Sequence, residues 1–120
     1  MKCQLAAQTL RLRIDEAELD RLLQVGVIED TTTFAPGLLQ SRRLRLVDAA
    51  APALHVDASV LTVALPRAQF EAFAAERPRR DGLDFDWPVA ETQPLRVVVE
   101  IDVRDSHRRA RAGRDGVAKD

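Results

Sequence analysis

Period-two alternation of apolar and polar residues, repeated in short runs along the chain, is the feature that most narrows what this sequence can fold into. Leu10, Leu12 and Ile14 alternate with Arg11 and Arg13. Leu44 and Leu46 alternate with Arg43 and Arg45, and Leu95, Val97, Val99, Ile101 and Val103 with Arg96, Glu100 and Asp102. Side chains of a strand point to opposite faces in turn, so each run presents one apolar and one charged face. An earlier run starts at Cys3 and Leu5. Its phase changes across Ala6 to Thr9, which predicts a turn or a bulge there. Further strands are expected over residues 27–34, from Leu39 to Val47, around Leu54 and Val56, from Leu61 to Leu65, and briefly from Leu83 to Trp87. Val98 falls on the charged side of the last run, so part of that face is expected to be covered and the strand to be central.

Two stretches break this rhythm and read as helices. Asp15 stands as an N-cap with Glu18 three residues later, the spacing of a capping box, and Ile14 and Leu19 occupy the positions of a hydrophobic staple. Leu19, Leu22 and Leu23 make one apolar stripe, and Gly26 is a C-terminal stop. The second helix opens at Pro66, carries Phe70, Phe73, Ala74 and Arg77 on one face, and ends at Pro78. The polar segment from Arg79 to Pro94 reads as an exposed excursion.

These elements predict an α+β fold: a mostly antiparallel curved sheet, or a partly closed barrel, of six or seven strands packed with two short helices. Antiparallel pairing is expected because most connections are too short for a crossover helix. The 120 residues make one domain, expected over 1–103, large enough to bury a core without staples. Its packing rests on Leu, Val and Ala, because the chain has four Phe, one Trp and no Tyr. Residues 104–120 lose the apolar rhythm and read as a disordered tail. That tail is basic, with six of the 18 Lys and Arg residues against three acids, on a body that is mildly acidic. Such a balance gives no general field for nucleic acid, and aromatic platforms for bases are scarce. RRARAGR in the tail is the one stretch suited to weak nucleic-acid contact.

Cys3 is the single cysteine, which excludes an intrachain disulfide. The N-terminal residues hold no long apolar run, since Gln4, Gln8, Arg11 and Arg13 interrupt it, so neither a signal peptide nor a spanning helix is expected and a cytoplasmic protein is.

The order of segments resembles a family of small uncharacterised bacterial proteins. The likeness falls on Leu10 to Ile14, Glu18 to Leu22, Gly26, and Glu29 to Phe34, where the family has a strand of the form LRLRL, a helix with EVxxL, a glycine and then EETTxF. Leu95 to Val103 is similar to the family's late LxILVEKDF, with Ile101 where its lysine would stand. The family continues with a cysteine, and this chain has SHRRARAGRD there. The resemblance implies the fold and supplies no activity.

The charged faces collect the candidate ligand-binding residues Arg11, Arg13, Arg43, Arg45, Arg96, Glu29, Glu100 and Asp102. On a curling sheet they would share one concavity. Guanidinium groups there would hold a phosphate-bearing ligand, and Glu100 with Asp102 would hold Mg²⁺ for a phosphate-ester or polyphosphate hydrolase. That arrangement is loosely similar to the triphosphate tunnel enzymes, but their early glutamates and lysine are absent, with Gln4, Gln8 and Arg11 in that region. A solvated sheet face with cross-strand ion pairs accounts for the same residues with no ligand. Glu29 and Asp30 beside Thr31, Thr32 and Thr33 read as a polar strand face.

His55 and His107 with Cys3 lack zinc-ligand spacing. Ser41, Ser59 and Ser106 sit in no nucleophile elbow, and the five glycines form no phosphate loop. No resident metal or cofactor is expected. The reading favoured by the sequence is a non-enzymatic protein that self-associates as a homodimer or binds a protein partner, with an anionic ligand as the alternative and no membrane.

Overall fold

A computed structural model describes residues 1–76 and 82–102. The chain begins with an antiparallel hairpin of Lys2–Ala6 (β1) and Thr9–Ile14 (β2), turning at Ala7 with φ 48°. The helix Glu16–Val25 (α1) follows, and then the hairpin Val27–Ala35 (β3) and Leu38–Val47 (β4). A second set repeats the plan: hairpin Ala53–Asp57 (β5) and Val60–Pro66 (β6), helix Arg67–Ala75 (α2), hairpin Leu83–Trp87 (β7) and Leu95–Ile101 (β8).

The expected chemistry forms α1. Asp15 Oδ1 accepts from the Glu18 amide at 2.7 Å, and Glu18 Oε1 accepts from the Asp15 amide at 3.0 Å, closing the capping box. Gly26 ends the helix at φ 92° and donates its amide to the Leu22 carbonyl at 2.8 Å. That left-handed conformation suits glycine, which has no Cβ to clash.

The strands assemble by exchange. One sheet has the order β1-β2-β8-β7 and the other β3-β4-β6-β5, so each takes its outer hairpins from different halves of the chain. Hairpin pairs are antiparallel, and the two central joins, β2 with β8 and β4 with β6, are parallel. The chain is thus a pseudo-two-fold repeat in hairpin, helix, hairpin units. Ala58 turns the β5–β6 hairpin at φ 44°, 51 positions after Ala7 turns the first. The same offset relates buried Leu12, Ile14, Leu19 and Leu22 to Val63, Leu65, Phe70 and Phe73. Even the hydrogen bonds that start the two parallel joins correspond: Arg96 donates to the Gln8 carbonyl at 2.9 Å, and Ser41 to the Ser59 carbonyl at 2.7 Å.

A single apolar core joins the two sheets and both helices. Leu10, Leu12, Val97 and Val99 from one sheet meet Ile28, Leu44, Val63 and Leu65 from the other, with Leu19 and Leu22 of α1 and Phe70 and Phe73 of α2. The core is rich in Leu and Val, with Phe70 and Phe73 edge-tilted at 5.9 Å between ring centres.

An α+β fold with two helices is therefore present, but two four-stranded sheets replace the expected single curved sheet or partly closed barrel of six or seven strands. The additional strand content comes from the first and last hairpins being complete. The expectation of antiparallel pairing holds within hairpins and fails at both sheet centres. A parallel join needs a long connection, and here the joined strands belong to different halves, so the intervening chain supplies it. β8 is central, as Val98 indicates, and Val98 is buried. Gly82 covers it: a Cβ there would stand 2.8 Å from Val98 Cγ1. Val103, the tail at 104–120 with its arginines and His107, and the end of the second helix at Pro78 lie outside the described residues.

Candidate functional site

The strand-borne arginines predicted from alternation divide between the two sheets, with Arg11, Arg13 and Arg96 on one face of the first and Arg43 and Arg45 on the second. Glu29 on β3 and Arg43 on β4 are direct cross-strand neighbours, and Arg43 bonds Glu29 Oε1 through Nε at 2.8 Å and Nη2 at 2.7 Å. Arg45 lies two residues along the same face. Together they border a cavity of about 620 Å³, open to solvent, between the end of α1, the start of the β3–β4 hairpin and the start of α2.

Arg67, the first residue of α2, completes the cationic wall of this cavity. Its Nη1 donates to the Leu23 carbonyl at 3.4 Å and faces Glu71 at 3.5 Å. Its Nη2 would stand 3.3 Å from a Cβ on Gly26, so the glycine that ends α1 also lets the guanidinium lie close to the backbone. Val25, Ile28 and Leu46 give the same cavity an apolar side. Three guanidinium groups thus meet one carboxylate there, and Arg43 already occupies that carboxylate. Among the described residues Arg45 has no ion pair or hydrogen-bond acceptor.

The internal repeat explains why. Arg45 stands in the register of β4 where Glu100 stands in β8. Glu100 faces Arg13 across the parallel join, whereas Arg45 faces Ala64, the counterpart of Arg13. One half of the molecule places a carboxylate and a guanidinium opposite each other. The other places a guanidinium opposite a methyl group.

On the first sheet, Arg13 Nη2 reaches Glu100 Oε1 at 3.2 Å, and Arg11 Nε lies 3.8 Å from the same oxygen. Arg11 and Arg13 border a small cleft of about 20 Å³ with Lys2 and Gln4, and Arg13 also borders, with Asp102, a second cleft of about 100 Å³. Arg96, on the same face, pairs with Asp84 at 2.5 Å. Asp102, just past β8, donates its amide to the Ile14 carbonyl at 2.8 Å, and its cleft is also lined by Asp15 and Glu18. The eight candidates are not gathered into one concavity. Glu100 and Asp102 are on the first sheet, while Arg45 is on the second, so the arrangement the hydrolase alternative requires is not assembled.

The threonine-rich segment is tied across its hairpin: Thr31 Oγ1 and Ser41 Oγ are 2.7 Å apart, and Arg42 Nη1 donates to Thr32 Oγ1 at 2.9 Å. Beyond it the hairpin leaves the sheet. β6 begins at Val60 opposite Ser41, so Leu38–Gln40 and the end of β3 continue as a two-stranded ribbon with every residue from 31 to 40 exposed. Phe34 is 66% exposed, Leu38 61% and Leu39 41%.

Cys3 is half-buried, and burial pushes its thiol above the ordinary value despite the opposing charge of nearby Arg42. His55 is exposed on β5. Among the described residues no group of three or more His, Cys, Asp or Glu side chains is placed to hold a metal ion, and no helix is long and apolar enough to cross a membrane.

Arg67 and Gly26 are the site residues that sequence reading missed. Arg67 follows Pro66 at a helix start, a local signal that says nothing about a glycine in another helix. The unmatched Arg45 is hidden from a repeat alignment too: at the Ala7–Ala58 offset it falls on Arg96, and only the strand registers match it with Glu100.

Fold and site define a protein built of two exchanged α+β units with an arginine-lined cavity where α2 of the second meets α1 and the β3–β4 hairpin of the first. The model of a family of unknown function, DUF7009, matches residues 1–114, and the chain belongs to that family. No curated protein and no solved structure matches the chain.

Proposed function

We propose that the protein acts by binding protein surfaces rather than by catalysis, and that its first partner is a second copy of the chain joined through the β3–β4 ribbon. The observation that carries this is the apolar end of the ribbon. Phe34, Leu38 and Leu39 are each exposed at the end of a hairpin that has no third strand beside it. An unsupported two-stranded hairpin is marginally stable in water, and burying large apolar side chains returns about 1.5–3 kcal/mol each. β3 is also a nine-residue edge strand whose free backbone groups suit strand addition. A two-fold pairing of ribbons would cover both features at once, and two-fold dimers are the commonest closed assemblies.

Sedimentation velocity over a wide concentration range tests this on the full chain. A dimer that dissociates on changing Phe34 to Asp, with far-UV circular dichroism unchanged, is the expected result. A monomer at every concentration would remove the self-association reading. A stable dimer must bury more than about 1,000 Å² in total.

A further inference from the structure

We propose that the cavity between α1, the β3–β4 hairpin and α2 binds the phosphate or pyrophosphate group of a small molecule, with Arg45 and Arg67 as its guanidinium contacts. The site is distinct from the ribbon and stands without the self-association reading.

Charge decides the class of ligand. The cavity has three guanidinium groups against the single carboxylate of Glu29, and that carboxylate is already bonded twice by Arg43. Arg43 is therefore held in place by its neighbour and walls the cavity. Arg45 is left to meet an anion from solvent. Arg67 has long contacts with a backbone carbonyl and with an exposed glutamate, both of which a stronger acceptor can displace. Planar guanidinium groups recognise phosphate oxygens two at a time, which is their advantage over a lysine point charge.

Geometry agrees with this class. About 620 Å³ is more than a bare phosphate needs and lies in the range of small-molecule sites. Val25, Ile28 and Leu46 offer an apolar wall for the organic part of the ligand. Pro66, the N-cap of α2, has no side chain to bond the first amides of that helix, which leaves the helix start beside Arg67 electropositive.

The repeat supplies an independent argument. At the equivalent places around the first sheet and α1, the positions of Arg45, Arg67 and Arg43 are held by Glu100, Glu16 and Val98. The fold is thus built equally well with acids and an apolar residue at these places. Three arginines beside the second sheet alone are not a requirement of the architecture, and a ligand accounts for them.

Calorimetric titration of the full chain with inorganic pyrophosphate at about 0.15 M salt tests the site. The expected result is saturable one-site binding, weakened about tenfold or more by R45Q and by R67Q, since a hydrogen bond to a charged group is worth roughly that factor. R11Q on the other sheet and F34D on the ribbon should leave it unchanged. Absence of saturable binding at millimolar pyrophosphate overturns the proposal. Equal weakening by R11Q overturns it too, because a diffuse field and not the cavity would then be responsible. Equally tight binding of citrate overturns the assignment to phosphate.

Discussion

Gly82 and Gly26 are small residues for different reasons, and substitution separates them. At Gly82 a Cβ would crowd Val98, the Glu100 side chain and the Val99 carbonyl, all within 2.9 Å. Gly82→Ala is expected to cost about 1–3 kcal/mol, as overpacking does, read as a lower urea midpoint. At Gly26 the cost is conformational, from φ 92°, and Gly26→Ala is expected to lose about 1 kcal/mol. Cys3 gives a pH prediction. Burial raises its thiol above 9.0, so the fold favours the protonated form. The associated stability is fully present below pH 9 and is lost as pH rises through the folded value. Urea unfolding of the wild type should therefore weaken above pH 9 more than that of Cys3→Ser. At pH 8 the native thiol should react with a thiol reagent more slowly than the unfolded one.

At the scale of elements, the two helices occupy equivalent places with unequal ends. α1 has both capping-box bonds, and Asp15→Ala is expected to cost about 1 kcal/mol in thermal or urea unfolding. α2 begins after Pro66 with no side-chain cap. Its first-turn amides should therefore exchange with solvent faster than those of α1, measured by hydrogen exchange under native conditions. The burial beneath the helices is alike, since Leu19 and Phe70 are both fully buried at matching positions. Equal protection of the two first turns would mean that packing, not capping, sets local opening here. The sequence made α1 legible because capping and stripe lie within a dozen residues. It also placed β2, β4 and β8 by alternation. It left the β3–β4 ribbon unreadable, because whether a strand has a neighbour is decided by where β6 starts.

For the whole molecule, exchange of hairpins makes the halves interdependent. Neither half contains a complete sheet, since β2 needs β8 and β4 needs β6. Cutting the chain in the exposed segment between Val47 and Ala53 should yield two fragments that are each unfolded alone. Mixed, they should regain the circular dichroism of the intact protein. Because one core joins both sheets, the intact chain should unfold in a single cooperative transition. A fragment that folds as a monomer on its own would contradict the interdependence.

The sequence by itself determined what is local: which runs are strands, where α1 starts and stops, which faces are apolar, and that Arg11, Arg13, Arg43, Arg45 and Arg96 point away from the core-facing phase. Alternation, capping and helix stripes act over a few residues, so they can be read there. Tertiary structure alone decided the pairing of β2 with β8 and β4 with β6, and with it the fate of the charged groups. Glu100 became the partner of Arg13, while Arg45 came to face Ala64. Those encounters join residues from separate halves of the chain. Their energetics depend on the shared core that brings both sheets together, and no local pattern encodes which strand from the other half will arrive.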